Sequence, residues 1–208
     1  MKLNMSPAMA KVHLNKDVFL YLNKVSFVKS LIYYMINSKS RTQINLLQWL
    51  KKNLSLSPSL LEDIAYIKTY DTNKAKIRAI LKYVHNNLRY VSDNIVWKVS
   101  EYWQTPSETE SLKTGDCEDG ALLIYAIAVE CGIPDYQLYI VAGEVQGGGH
   151  CYCVYVSEED GLEYPIDWCY WYNKSYSMKD NYFERIEYYD GTKEWFRFNK
   201  SGTYKLFT

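Results

Sequence analysis

The sequence has no excess of charge of either sign. Its 208 residues include 24 Lys and Arg and 24 Asp and Glu, so the formal net charge is zero. A chain with this balance has no general attraction to the phosphates of a nucleic acid or to an anionic membrane surface. We therefore expect no nucleic-acid partner.

Long apolar runs are also missing. An apolar-rich stretch near the N-terminus, residues 18–36, is interrupted by Asn23, Lys24 and Lys29, and residues 1–10 contain no apolar core. Neither stretch has the pattern of a secretory signal peptide or of a membrane-spanning helix. The sequence therefore predicts a cytoplasmic protein without a membrane span, with a virion assembled in the cytoplasm as an alternative location.

Cysteine pairs of the kinds that bind zinc or build a disulfide framework are absent. The five cysteines are an odd number, and no two CxxC pairs occur at zinc-finger spacing. Cys151 and Cys153 project from the same face of a predicted strand, opposite to His150. We expect Cys131, Cys151, Cys153 and Cys169 to be small buried apolar side chains in a reducing environment.

Tyrosine, in contrast, is abundant, with 21 residues spread along the chain. Lys, Asn and Ile are also common, so AT-rich coding is one explanation. An aromatic surface that binds sugars or peptides is the other. A compact, Tyr- and Lys-rich chain without an export signal also fits a product of a phage or mobile element.

Hydrophobic periodicity divides the chain into a helical first part and a strand-rich second part. Helical spacing occupies residues 16–54, 60–68 and 74–90, and the Asp71-Thr72 pair can cap the last of these helices. An apolar helix at residues 121–129, ended by Gly and Pro, is followed by strands at residues 136–145, 150–156 and 162–167. Strands at residues 183–189 and 193–198 form a predicted hairpin through the Asp190-Gly191 turn. This order predicts an α+β fold, in which an antiparallel sheet packs against the apolar helix.

The most informative segment is residues 115–120, with the sequence GDCEDG, directly before that apolar helix. Cys117 is thereby placed at a helix N-terminus, where the partial positive charge favours a thiolate. His150 follows three glycines at the start of one strand, and Asp167 ends another. A Cys, a His and an Asp in this order, each at the edge of a regular element, are the components of a nucleophilic triad.

These residues resemble those of the transglutaminase-like branch of the papain-like superfamily. Residues 102–109 (YWQTPSET), followed by GDCED, are similar in particular to the bacterial transglutaminase-like cysteine proteinases. The resemblance covers residues 71–171 and implies a papain-like α+β core with the nucleophile helix packed on an antiparallel sheet. We therefore predict a catalytic domain at residues 71–208, preceded by a helical extension at residues 1–70.

The resemblance implies a cysteine peptidase, a hydrolase that cleaves peptide or amide bonds in a protein or peptide substrate. Cys117 would form an acyl-enzyme, His150 would act as general base and acid, and Asp167 would orient the imidazole. Protein transglutaminase activity, in which an amine replaces water as the acyl acceptor, uses the same residues and stays open. A non-catalytic binding or structural module that keeps the fold is the remaining alternative. The sequence does not indicate an oligomeric state.

An acyl-enzyme mechanism needs hydrogen-bond donors for the oxyanion. The backbone N–H of Cys117 is one expected donor. Papain-like enzymes use a Gln or an aromatic residue upstream of the nucleophile, so the resemblance implies a second donor at Trp103 or Gln104. Plain core packing is the alternative role of Trp103.

Three acids surround the nucleophile, Asp116, Glu118 and Asp119, and their charge opposes a thiolate. One explanation is that they lie in the first helical turn, where acids suit the macrodipole, and point away from the thiol. The other is that they bind a hard cation, which for an oxygen-rich cluster is Ca²⁺. The bacterial proteinases hold calcium with the acids around their Cys, and all three acids match that pattern. Apart from Ca²⁺, no cofactor is expected.

Overall fold

The computed structural model describes residues 32–33, 44–99, 101–145, 148–169 and 193–206. Helices dominate up to residue 137, and the strands of the main sheet follow. The helices are α1 (Leu46–Lys52), α2 (Pro58–Asp63), α3 (Asn73–Asn87), α4 (Asp93–Val96), α5 (Pro106–Leu112) and α6 (Cys117–Glu130), with 3-10 turns at Ala65–Thr69 and Asp135–Gln137. The strands are β1 (Ile32–Tyr33), β2 (Ile44–Asn45), β3 (Arg89–Tyr90), β4 (Thr114–Gly115), β5 (Leu138–Val145), β6 (Gly148–Val156), β7 (Glu163–Ile166), β8 (Lys193–Asn199) and β9 (Gly202–Leu206).

Helix α6 is the central element of the core. Its side chains from Ala121 to Ala128 are buried on all sides, which requires a helix that is apolar all round. The helix ends where Gly132 adopts a left-handed conformation (φ +85°), and the N–H of Ile133 donates to the carbonyl of Ala128 at 3.0 Å. This is a Schellman-type ending, which a glycine adopts without steric cost.

Helix α3 packs against α6 through one apolar stripe. Its buried residues include Ile77, Ile80, Leu81 and Val84, at the spacing of a helix with one buried face. The helix begins at a cap in which the Thr72 hydroxyl accepts a hydrogen bond from the N–H of Ala75 at 3.1 Å. The predicted cap and apolar face are both observed.

The main sheet is five-stranded, in the order β7-β6-β5-β8-β9, and each neighbouring pair is antiparallel. One face packs on α6 and contributes Cys153 and Tyr155 to the main core. The opposite face carries a second, small apolar cluster that includes Tyr152 and Val154. The predicted α+β fold, with the nucleophile helix packed on an antiparallel sheet, is confirmed.

A short parallel pair, β3 with β4, positions the segment that precedes Cys117. Tyr90 lies in register with Gly115, and the N–H of Val91 donates to the Gly115 carbonyl at 3.0 Å. The predicted helix at residues 74–90 therefore ends earlier than expected, at Asn87. Pairing with β4 satisfies the backbone of residues 89–91 in place of further helical hydrogen bonds.

The N-terminal part differs from the predicted helix over residues 16–54. The described residues in this range form the antiparallel pair β1–β2 and then the short helix α1. Ile32 pairs with Asn45 and Tyr33 with Ile44, so these backbone segments pair as strands and do not continue a helix. The extension at residues 1–70 and its boundary stay a prediction.

Other predictions fall partly outside the described residues. The strand at residues 183–189 and the Asp190-Gly191 turn lie there, whereas β8 is observed and pairs with β9. Within the described part of the chain, no helix combines the length and apolar character needed to cross a bilayer.

Candidate active site

Cys117 is the first residue of α6, and its side chain is half-buried. The N–H groups of a first helical turn have no acceptor inside the helix, so they face whatever lies beyond the N-terminus. The backbone N–H of Asp116, just before this turn, donates a hydrogen bond to Asp119 Oδ2 at 3.1 Å. The Cys117 thiol itself donates to Glu118 Oε2 at 3.1 Å.

His150 lies on β6, and Asp167 directly follows the adjacent strand β7. Both residues are buried. His150 Nε2 is 2.5 Å from Asp167 Oδ2. The Cys117 side chain lies near enough to the imidazole to help raise the pKa of His150. The structure thus places the three residues predicted to form a triad close together, with His150 near both Asp167 and Cys117.

The charges around His150 favour its protonated form, the imidazolium. Burial alone would lower the pKa of His150, but the Asp167 carboxylate and then the Cys117 side chain outweigh it, and the pKa is raised well above 6.5. The second oxygen of Asp167 accepts a hydrogen bond from the N–H of Cys169 at 2.9 Å, which fixes the carboxylate in place.

Both side chains considered for the second oxyanion donor, Trp103 and Gln104, form hydrogen bonds in the interior. The Trp103 indole N–H donates to Glu101 Oε1 at 2.9 Å, and its buried ring packs against Trp49 and Phe198. Gln104 Nε2 donates to the Thr114 carbonyl at 3.2 Å and to Asp119. Buried donors of this kind are fixed by their acceptors. The geometry favours a structural role for both side chains, which hold residues 101–104 against the start of α6.

The acids beside Cys117 are buried together with two more acids from outside the motif. Asp93 and Glu101 approach Glu118 with one oxygen each, all within 4.8 Å of one another, and Asp93 approaches Asp116 and Asp119 in the same way. One interpretation of the motif acids is that they point away from the thiol, but Glu118 accepts a hydrogen bond from it, and all three acids are buried. Asp93 and Glu101 belong to no local motif, so the sequence offered no signal for them.

This acidic cluster, which consists of Asp93, Glu101, Asp116, Glu118 and Asp119, has a high electrostatic cost. Burial and then the charge of Asp116 raise the pKa values of Glu118 and Asp119 well above the ordinary carboxyl range. Glu118 is 5% exposed, and its Oε1 has no hydrogen-bond partner in the described part of the chain. Ionised carboxylates packed at this density require a cation or protons.

Two aromatic side chains that the sequence did not single out lie beside Cys117 and Asp167. Trp168 is buried on α6 at Gly120, where an added Cβ would come within 1.8 Å of the indole Nε1. Tyr90 is 49% exposed, and its ring centroid lies 6.0 Å from that of Trp168 with the planes at 33°. Gly120 is therefore the residue that lets the indole lie directly on the nucleophile helix.

The remaining four thiols form no disulfides; Cys131, Cys151 and Cys153 are buried, and Cys169 is half-buried. Burial raises the pKa of Cys131 to about 11 and that of Cys153 to about 12. The pKa values of Cys151 and Cys169 are raised well above 9.0, first by burial and then by nearby charges that include Cys117. The expectation that these four cysteines are small buried side chains agrees with their half-buried to buried positions.

Solved structures similar to this chain include forms of Legionella pneumophila LapG. One LapG structure is 20% identical, with a TM-score of 0.53, over 76% of this chain and 86% of LapG. An EGTA-treated form is 20% identical, with a TM-score of 0.53, over 76% and 84%. A calcium-bound form is 19% identical, with a TM-score of 0.47, over 76% and 75%. The two structures with a TM-score of 0.53 show, at 20% identity, the fold alone.

Curated proteins provide no match to this sequence. The sequence model of the bacterial transglutaminase-like cysteine proteinases (BTLCP), however, matches residues 58–202, which is more than half of the chain. The match includes Cys117, His150 and Asp167 and extends across most of the described structure. The chain therefore belongs to the bacterial transglutaminase-like cysteine proteinase family.

Proposed function

We propose that this protein is a cysteine peptidase that hydrolyses peptide bonds through an acyl-enzyme on Cys117. The observation that carries the proposal is the position of His150, which bonds to Asp167 through Nε2 and contacts the Cys117 side chain. A buried imidazole between a thiol and a carboxylate is the arrangement of a nucleophile, its base and the group that orients the base.

The reaction follows from this arrangement. Because Nε2 of His150 is held by Asp167, the imidazole presents Nδ1 to the thiol. The imidazole takes the thiol proton, and the thiolate adds to the scissile carbonyl carbon. As the C–N bond breaks, the imidazolium gives its proton to the leaving amine, and a thioester remains on Cys117. Water, deprotonated by His150, then hydrolyses the thioester and regenerates the thiol.

The start of α6 supplies one donor for the oxyanion. The backbone N–H of Cys117 belongs to the first turn, and the partial positive charge of the helix N-terminus favours a negative oxygen there. The apolar core around α6 keeps this donor in a fixed direction, so no reorganisation is needed when the charge develops.

We propose in addition that the acidic cluster holds Ca²⁺. Its donors are all carboxylate oxygens at short mutual distances, which is the donor set that a hard cation prefers. The buried Oε1 of Glu118 has no hydrogen-bond partner in the described part of the chain, so this oxygen is available to bind the cation. When bound, the cation would offset the negative charge beside the nucleophile. Glu118 now accepts the thiol hydrogen bond and so competes with His150 for the Cys117 proton.

The proposed function is tested with denatured casein, Ca²⁺ and added glycine ethyl ester, with the products analysed by mass spectrometry. Hydrolysis gives new free C-termini, whereas acyl transfer to the amine gives ester adducts. We expect free C-termini with the wild type, the same with Cys169→Ala, and none with Cys117→Ala. A wild-type protein that yields only adducts is a transglutaminase. Equal cleavage by wild type and Cys117→Ala contradicts nucleophilic catalysis by Cys117.

A further inference from the structure

The proposed reaction needs a second oxyanion donor besides the N–H of Cys117. The side-chain donors of Trp103 and Gln104 are hydrogen-bonded to Glu101, Thr114 and Asp119 in the interior. Withdrawing either of them would break a hydrogen bond in the interior and so destabilise the segment that precedes Cys117. A donor that serves the oxyanion without this cost must lie elsewhere around Cys117.

Tyr90 is held next to the nucleophile by its backbone. It lies in register with Gly115, two residues before Cys117, in the parallel pair β3–β4. Hydrogen bonds on either side fix this register, since the N–H of Arg89 donates to the Lys113 carbonyl at 3.0 Å and the N–H of Val91 donates to the Gly115 carbonyl at 3.0 Å. The position of Tyr90 is therefore determined by the same segment that positions Cys117.

The ring of Tyr90 is also supported from the other side of the site. It packs against Trp168, which directly follows Asp167 and is itself seated on α6 at Gly120. About half of the Tyr90 side chain remains exposed (49%). The phenol thus lies between the Cys117 segment and the Asp167 segment, with a supported ring and access to an incoming substrate.

The surroundings of the Tyr90 phenol keep its hydroxyl protonated. Burial is the largest cause that raises the pKa of Tyr90 above 10.0, and the next are the charges of Cys117, Asp116 and Cys169. All three of these residues border the proposed active site. Because the phenol stays protonated at neutral pH, it remains a hydrogen-bond donor when negative charge develops there.

We propose that Tyr90 is a catalytic residue whose phenolic O–H donates a hydrogen bond to the oxyanion formed on the substrate carbonyl. The proposal rests on the proposed function of Cys117 as nucleophile. When the thiolate sulfur bonds to the carbonyl carbon, the π electron pair moves to the oxygen, and the Tyr90 O–H and the Cys117 N–H both donate to it. Tyr90 transfers no proton. When the C–N bond breaks, the electron pair returns to the carbonyl and the leaving amine takes its proton from His150.

Two small reagents separate stabilisation of an oxyanion from reactivity of the thiol. p-Nitrophenyl acetate acylates a thiol through a tetrahedral oxyanion, whereas iodoacetamide alkylates it by direct displacement without one. Both modifications of Cys117 are followed by mass spectrometry of the peptide that contains it, in the presence of Ca²⁺. The variant is Tyr90→Phe, and the matched control is Tyr70→Phe, which removes the hydroxyl of another half-exposed tyrosine (43% exposed). Melting temperatures establish that all proteins are folded.

We expect Tyr90→Phe to slow acylation of Cys117 by on the order of 10²-fold, the cost of removing one oxyanion donor. Its alkylation by iodoacetamide should be unchanged, and Tyr70→Phe should match the wild type with both reagents. Wild-type acylation in Tyr90→Phe, or an equal loss with both reagents, overturns the donor role while Cys117 remains the proposed nucleophile. A wild-type Cys117 that reacts with neither reagent contradicts the proposed function itself, and the role of Tyr90 with it.

Discussion

Replacing Glu118 by Gln should change the stability of the protein in opposite directions without and with calcium. Glu118 is buried, its pKa is raised well above the ordinary range, and its neighbours in the acidic cluster are other carboxylates. In EGTA its ionised form is therefore unfavourable, and the neutral Gln of similar shape should stabilise the fold. In Ca²⁺ the same substitution removes a charged ligand and should destabilise the complex relative to the wild type.

The size of the calcium effect follows from mass action. A ligand at 100 times its Kd stabilises the native state by about 2.7 kcal/mol. For a chain of this length, 1 kcal/mol shifts the Tm by about 2–4 °C, so the wild type should gain about 5–11 °C. If Glu118→Gln weakens binding about 100-fold, the same calcium concentration adds only about 0.4 kcal/mol, and the Tm gain falls to about 1–2 °C.

The pH dependence gives a second measurement of the same cluster. The raised pKa values of Glu118 and Asp119 mean that the native state binds protons more tightly than the unfolded state does. Their stabilising contribution is complete below the ordinary carboxyl pKa of about 4 and is lost as the pH rises through the raised values. The Tm in EGTA should therefore fall between pH 5 and pH 8, while the gain from Ca²⁺, which needs ionised carboxylates, should grow.

The assay is scanning calorimetry with EGTA or Ca²⁺ at several pH values. The control is Glu130→Gln at the exposed end of the same helix, where the ion pair with Lys68 contributes little. This control should keep the full calcium response. A Glu118→Gln protein that is less stable than the wild type in EGTA, yet keeps the full gain from calcium, would refute the cation site.

Three further substitutions test the active site and its packing. Gly120→Ala places a Cβ against Trp168 and should destabilise the fold by about 1–3 kcal/mol in denaturant unfolding. A second change, Trp168→Leu, should restore part of the lost stability. If it restores none, the contact between Gly120 and Trp168 is contradicted. Asp167→Asn removes the main group that opposes the effect of burial, so the pKa of His150 should fall in an NMR titration, and acylation of Cys117 should slow by as much as roughly 10⁴-fold. An unchanged titration would show that Asp167 does not set the charge of His150. Cys117→Ala should abolish acyl-enzyme formation while its Tm stays near that of the wild type, and residual acyl-enzyme would exclude this thiol as the sole nucleophile.

Local sequence signals were sufficient for the elements that carry the proposed triad. An apolar run ended by Gly and Pro predicts α6, and alternation predicts the strands that bear His150 and precede Asp167. These features depend on residues close together in the chain, so periodicity and turn chemistry reveal them. The order of Cys117, His150 and Asp167 then indicated how the elements meet.

Contacts between distant segments could not be predicted in this way. Asp93 and Glu101 join the acidic cluster only because residues 91–99 and 101–104 lie across the start of α6. The Trp103 indole could have faced either the substrate or the core, and it packs against Trp49 and Phe198, which are distant in the sequence. The two-residue strand that positions Tyr90 is too short to produce a periodic pattern.

Because the pKa values of four of the five cysteines are raised, the reactivity of the thiols can be used to follow unfolding of the protein. Cys131, Cys151, Cys153 and Cys169 are protonated at neutral pH in the native state, and packing shields the first three fully and Cys169 in part. A chromogenic disulfide reagent should therefore count about one fast thiol in the folded protein and all five after denaturation. The slow thiols should then react at the rate at which the native core opens. One absorbance trace therefore records both whether the Cys117 thiol is free to react and the kinetic stability of the domain.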